Sequence, residues 1–229
     1  MAEAAQRLGR PVRIALIHAL AHSVAPINDE LARAWPEATR MNLLDDSLSA
    51  DLALAGSLDA RMTERFLALA AYAFGTGAAG ILFTCSAFGP CIDAVKARWP
   101  AHPVLKPNEA MVEEAVAKAR TGRGRIALVA TFAPTLASMP AEFPGDVTLV
   151  PVMVEGALAA LDRGDAAGHD RLVASAIAGS ADVDVIALAQ FSLARAAGAV
   201  SRVTRVPVVT TPGSAVRALR ARLGSGPMP

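Results

Sequence analysis

Short runs rich in Ile, Val and Leu recur along the chain, separated by longer stretches of mixed polarity. Val12–Ile17, Thr39–Leu43, Gly80–Thr84, Pro103–Leu105, Arg125–Ala130, Val147–Pro151, Val185–Ala189 and Val206–Thr210 are of strand length. Most are continuously apolar rather than alternating, which is the pattern of parallel strands buried on both faces. The stretches between them read as helices. Ser57 is placed to cap a helix running to Phe74, with Gly75 just past its end. Asn108 heads a second helix that ends near Arg120 and Gly122, and Asp165 heads a third that ends near Gly179. Alternation of this kind predicts an α/β fold with right-handed crossovers.

The pattern also repeats. Arg13-Ile14-Ala15-Leu16 recurs as Arg125-Ile126-Ala127-Leu128, and Ile81–Ser86 finds its counterpart in Ile186–Phe191. Pro103-Val104-Leu105 matches Pro207-Val208-Val209. The three matches keep the same order, with 67 residues (14 to 81) against 60 (126 to 186) between the first two. Two homologous βα halves are therefore expected, facing one another across a cleft. Ligands of open α/β sheets bind outside the carboxyl ends of the strands. The candidates are then His18 to Ser23 and Thr84-Cys85-Ser86 in the first half, and Thr131 to Thr135 and Gln190-Phe191-Ser192 in the second. Cys85 and Gln190 occupy equivalent positions.

Composition narrows the function classes. The chain has 229 residues, 53% of them hydrophobic and 19% charged, so it carries ample material for a core. A net charge of +1 offers neither a basic stripe for nucleic acid nor a polybasic membrane anchor. The uncharged stretch from Phe66 to Ile92 has the length of a membrane span, but five Gly and Pro residues from Gly75 to Pro90 break it into helix, turn, strand and loop. No apolar core follows the polar start MAEAAQRLGR, so a cytoplasmic globular protein is expected. Two cysteines exclude a disulfide framework and a cysteine-rich zinc site.

ILFTCSAFG at 81–89, LVATFAPT at 128–135 and IALAQFSLARA at 186–196, with the two-half layout, resemble the aspartate/glutamate/hydantoin racemase superfamily, which includes arylmalonate decarboxylase and maleate isomerase. The resemblance spans roughly Val12 to Arg220. It implies two pseudo-symmetric halves, each a four-stranded parallel sheet flanked by helices, with the active site in the cleft between them. The first half is expected over 1–106, completed by a C-terminal helix 213–224, and the second over 107–212. The family's racemases place one cysteine from each half on either side of the substrate's α-carbon and use no metal or organic cofactor. Homodimers are common among them. Cys85 matches the first family cysteine, whereas Gln190 stands at the second, and an amide does not exchange protons near neutral pH.

Cys85 is accordingly the candidate catalytic thiol, and the turn after it is expected to lower its pKa through free backbone N–H groups. His18 is the candidate for the proton that Gln190 cannot supply, and His22 a candidate substrate contact. Thr84, Ser86, Thr131, Thr135, Gln190 and Ser192 are the expected substrate-binding residues, because hydroxyls and amides hold a carboxylate and its carbanion in this superfamily. Cys91 reads as a packing residue, His102 and His169 as surface or loop residues, Lys106 as a solvated lysine, and Asp45 and Asp46 as loop acids. His18 and His22 have helix-like metal-ligand spacing but no evident third ligand, and no metal is expected.

The resemblance implies a cofactor-independent isomerase acting on a small carboxylic acid or amide. The single thiol also fits a decarboxylase or lyase, which needs only one proton donor. A non-catalytic carboxylate-binding module is the reading from a different class.

Overall fold

Two sets of four parallel strands form because the central strands are apolar on both faces. The structure, a computed structural model, describes residues 12–179 and 182–224. β1 (Arg13–His18) and β3 (Gly80–Phe83) are buried almost throughout, while their edge neighbour β2 (Thr39–Leu44) alternates between half-buried and exposed positions. With β4 (Val104–Leu105) they form a sheet in the order β2-β1-β3-β4. The second sheet repeats this with β5 (Arg125–Ala130), β6 (Thr148–Met153), β7 (Val185–Leu188) and β8 (Val208–Thr210), in the order β6-β5-β7-β8. All pairings are parallel.

The register of the second sheet reproduces that of the first. Ile14 lies opposite Gly80 as Ile126 lies opposite Val185, and Ile81 faces Val104 as Ile186 faces Val208. The repeat read from the sequence is thus a structural repeat, and Cys85 and Gln190 hold the same place in their own units.

Helices connect the strands: α1 (Val24–Ala34), α2 (Ser47–Ala55), α3 (Ala60–Gly75), α4 (Gly89–Arg98), α5 (Glu109–Ala119), α6 (Ala133–Ser138), α7 (Ala157–Asp162), α8 (Ala166–Ile177), α9 (Ala197–Val203) and α10 (Thr211–Gly224). The Phe66–Ile92 stretch resolves into the end of α3, a turn, β3 and the start of α4. No helix among the described residues is long and apolar enough to cross a membrane.

The chain divides into two compact units. One comprises the described residues through Pro107 together with those from Val216 onward, and the other is Asn108–Ala215. After β4 the chain enters α5, whose Met111, Ala115 and Ala119 join the core of the second unit with Ile126 and Leu128. After β8 it enters α10, whose Leu219 and Leu223 lie against Gly80 of β3. A methyl group at Gly80 would stand 3.1 Å from the Pro103 carbonyl and 3.4 Å from both leucines, so this glycine permits close approach of helix to strand.

Three sequence expectations are corrected. Asp59, not Ser57, caps α3: its Oδ1 accepts from the Met62 backbone N–H at 2.7 Å, since Asp59 sits three residues before the amide it serves. Asn108 stands at the head of α5 without making a cap bond, because its side-chain amide turns to Glu142 Oε1 at 3.5 Å. His169 is neither loop nor surface but fully buried in α8, on the stripe His169, Val173 and Ile177 that faces the core. Asp165 does cap α8, accepting from the Gly168 N–H at 2.7 Å. Asp165→Ala is expected to destabilise the protein by about 1 kcal/mol, seen as a lower urea midpoint with an unchanged slope.

Candidate functional site

In the first unit the chemistry gathers where β1 and β3 end. Cys85 follows β3 in extended conformation and heads a short 3-10 turn, Ser86–Phe88, which runs directly into α4 with Pro90 in its first turn. The thiol is half-buried at the edge of the core that contains Phe83, Phe88 and Cys91. Burial pushes the Cys85 pKa up, and the Ala87 backbone N–H opposes this without reversing it. The expected depression by the turn is therefore overturned: the thiol is protonated at neutral pH. Cys91, six residues on, is fully buried, with its sulfur 3.6 Å from Thr63 Oγ1. Alkylation with iodoacetamide is expected to modify Cys85 and spare Cys91 in the native protein. The Cys85 rate is expected to keep climbing as pH passes about 8.5, the ordinary thiol value, and mass spectrometry across a pH series measures it.

His18, the last residue of β1, is fully buried and bonded at both nitrogens. Nδ1 lies 2.9 Å from Thr84 Oγ1 and Nε2 lies 3.0 Å from Asn42 Oδ1. Burial pushes its pKa down, outweighing the opposite pull of the Asn42 bond, so the ring is neutral near pH 7. The expectation that His18 delivers a proton thus meets an imidazole with both nitrogens engaged by protein groups. Asn42 on β2 and Asn28 on α1 were not among the sequence candidates. Asn42 lies 24 residues from His18 on the edge strand β2, and no local sequence pattern joins the two. The side chain of His22 lies outside the described residues. Ser86 is exposed on the turn. Lys106, at the end of β4, pairs with Asp93 at 2.7 Å, and Asp45 with Arg65 at 2.6 Å.

In the second unit the strand ends of β5 and β7 bring Thr131 and Gln190 together. Gln190 Oε1 accepts from the Thr131 backbone N–H at 2.7 Å and from the Thr131 hydroxyl at 3.0 Å. With its carbonyl held from both sides, Gln190 has only its amide hydrogens to offer a ligand. Like Cys85, it is extended and heads a 3-10 turn, here Phe191–Ala196, which carries the half-buried Ser192. Thr135 lies half-buried in α6. The site residues of this unit are thus two donors, Gln190 and Ser192, on one turn, and two threonines on β5–α6. No group of three or more His, Cys, Asp or Glu side chains suited to a metal gathers among the described residues.

No family model matches the chain, and no curated protein matches it in sequence. Solved structures do match in three dimensions. An allantoin racemase from Klebsiella pneumoniae is 17% identical, with 93% of this chain and 88% of that one covered at a TM-score of 0.68. The aspartate racemase of Picrophilus torridus is 12% identical, with coverage of 93% and 94% and a TM-score of 0.63. Arylmalonate decarboxylase is 17% identical, with coverage of 94% on both sides and a TM-score of 0.58. Two four-stranded parallel sheets in this repeated order, over nearly the full length of both chains, give this protein the fold of the aspartate/glutamate/hydantoin racemase superfamily.

Proposed function

We propose that this chain is a cofactor-independent enzyme of that superfamily, moving a proton at the carbon next to a carboxylate or carbonyl, with Cys85 as the working thiol. The observation that carries the reading is the placement of Cys85. It is the half-buried thiol at the carboxyl end of a central strand, heading a short turn that runs into α4. Gln190 is assigned as a hydrogen-bond donor to the substrate, since Thr131 holds its carbonyl oxygen. Donors of this kind stabilise the negative charge that builds on a carboxylate oxygen as the α-carbon becomes an enediolate.

The protonation state of Cys85 favours one form of this chemistry. Racemisation needs a base on one face and an acid on the other, whereas Cys85 is a protonated thiol and Gln190 is inert to proton exchange. Decarboxylation needs a single acid. The bond from the α-carbon to the departing carboxylate breaks, carbon dioxide leaves, and the electron pair passes to the remaining carboxylate or carbonyl. Cys85 then gives its proton to the carbon, and solvent reprotonates the thiolate.

Incubation in deuterium oxide with amino acids, hydantoins, arylmalonates and maleate-like diacids, followed by proton NMR, tests both forms. Deuterium entering at the α-carbon without other change supports reversible proton transfer. A product one carboxylate smaller, deuterated at that carbon, supports decarboxylation. Binding of an acid without any change across the panel would leave a carboxylate-binding module instead.

A further inference from the structure

The polar cluster at the end of β1 is absent from the second unit. By sheet register His18 corresponds to Ala130, Asn42 to Pro151, and, beside the paired strands, Thr84 to Ala189. The backbone geometry is the same in both: the Thr84 N–H donates to the Ile17 carbonyl at 3.1 Å, and the Ala189 N–H to the Val129 carbonyl at 3.0 Å. The fold therefore closes these strand ends with alanine and proline, and a buried imidazole is not a requirement of the architecture. Burying polar groups is unfavourable unless each is satisfied, so a satisfied cluster confined to the thiol-bearing unit points to a task there.

The hydrogen-bond directions in the cluster are fixed by one acceptor. The Val24 carbonyl can only accept, and the Asn28 side-chain amide faces it at 2.8 Å, so the NH2 group of Asn28 points that way. The same nitrogen meets Asn42 at 2.8 Å, and its partner there must be Asn42 Oδ1. The reverse bond, from Asn42 Nδ2 to Asn28 Oδ1 at 3.2 Å, locks the two amides together. His18 Nε2 faces the same Asn42 oxygen at 3.0 Å and must therefore carry a proton. In the neutral ring Nδ1 is then a bare lone pair, and the Thr84 hydroxyl, 2.9 Å away, must donate to it. Thr84 Oγ1 is also 3.4 Å from the Ile17 carbonyl, another acceptor inside the protein, so its hydrogen points inward on either count.

We propose that Asn42, held by Asn28, is a positioning residue that sets the polarity of the Thr84 hydroxyl through His18, so that Thr84 meets a ligand only as an acceptor. This rests on the assignment of the Cys85 strand end as the active site. It reverses the role expected for Thr84 from the sequence, that of a donor to a carboxylate. Thr84 directly precedes Cys85 at the end of β3 and keeps 7% of its surface exposed, and the ligand group set against it is one bearing an N–H. Asn42 itself is exposed on the edge strand, so changing it does not disturb the core.

Two readouts test this. Long-range nitrogen–proton NMR on protein with labelled histidine is expected to show His18 protonated at Nε2 and bare at Nδ1. Asn42→Ala is expected to lose that single tautomer, and Asn42→Asp, which keeps an acceptor in place, to restore protonated Nε2. Calorimetry with the amide–ester pair N-acetylglycine and acetoxyacetate reads the ligand side. The amide is expected to bind about tenfold more tightly to the native protein, with the preference falling toward unity in Asn42→Ala and in Thr84→Val. A native His18 protonated at Nδ1, an Asn42→Ala spectrum identical to the native one, a preference that survives Asn42→Ala, or failure of both ligands to bind would overturn the proposal. Because the NMR readout needs no turnover, a locked His18 in a catalytically silent protein would sink the enzyme reading and leave the tautomer relay standing.

Discussion

Replacing Cys85 by alanine is expected to remove turnover while leaving the fold and most of the substrate affinity in place. General acid catalysis by a placed side chain contributes typically about 10²–10⁴-fold, and no other thiol can take over, because Cys91 is buried in α4 and bonded toward Thr63. The variant should fall by at least that factor, with binding of a substrate analogue changed by no more than a few fold. A structural role for the thiol predicts the reverse, a lowered melting temperature with activity reduced only in proportion. The pH profile of the native enzyme carries a second, signed prediction. Burial raises the Cys85 pKa, so the protonated thiol is present through neutral pH and is lost only above the ordinary thiol range. If Cys85 is the acid of a decarboxylation, the rate should be level through neutrality and decline in alkali. If it is the base of a racemisation, the rate should rise steadily into the same alkaline range. Initial rates measured from pH 6 to 10 separate the two.

The largest expected loss of stability comes from the other end of the chain. Leu219 of α10 is fully buried and packs on the backbone of Gly80, where no side chain intervenes. Leu219→Ala leaves a cavity between helix and strand that Gly80 cannot fill, and losses at such sites run to about 2–5 kcal/mol. Urea denaturation should show a midpoint lowered accordingly, with hydrogen exchange accelerated in β1 and β3 before it is in β5 and β7. Uniform acceleration across all four strands would show instead that the two units open together.

Much of this arrangement was legible from the order of residues. The continuous apolar strands, the repeat and the equivalence of Cys85 with Gln190 follow from periodicity and spacing, and the sheet register preserves them. The cap at Asp165 was legible in the sequence, since it stands three residues before the amide it serves. Near α3, Ser57 and Asp59 competed and side-chain geometry chose the latter. By residue type His169 reads as a surface group, whereas its spacing of four residues from Val173 and eight from Ile177 sets it on the buried stripe of α8. The site's chemistry was less visible for a different reason. The Gln190–Thr131 and His18–Thr84 bonds join residues 59 and 66 positions apart, and no local pattern announces them. The thiol's direction of titration depended on how deeply the turn sank into the core, a balance between desolvation and one backbone N–H that sequence does not express.

The two crossings of the chain bear on how the protein is made. The unit Asn108–Ala215 is one uninterrupted segment and can complete itself as soon as β8 leaves the ribosome. The unit that carries Cys85 is synthesised first but needs the stretch from Val216 onward, in which Leu219 closes over Gly80. During translation the thiol-bearing sheet must therefore wait, with the groove at Gly80 uncovered, for the whole of the second unit to emerge. The order of maturation runs opposite to the order of synthesis, and the half that holds the reactive sulfur is the last to close.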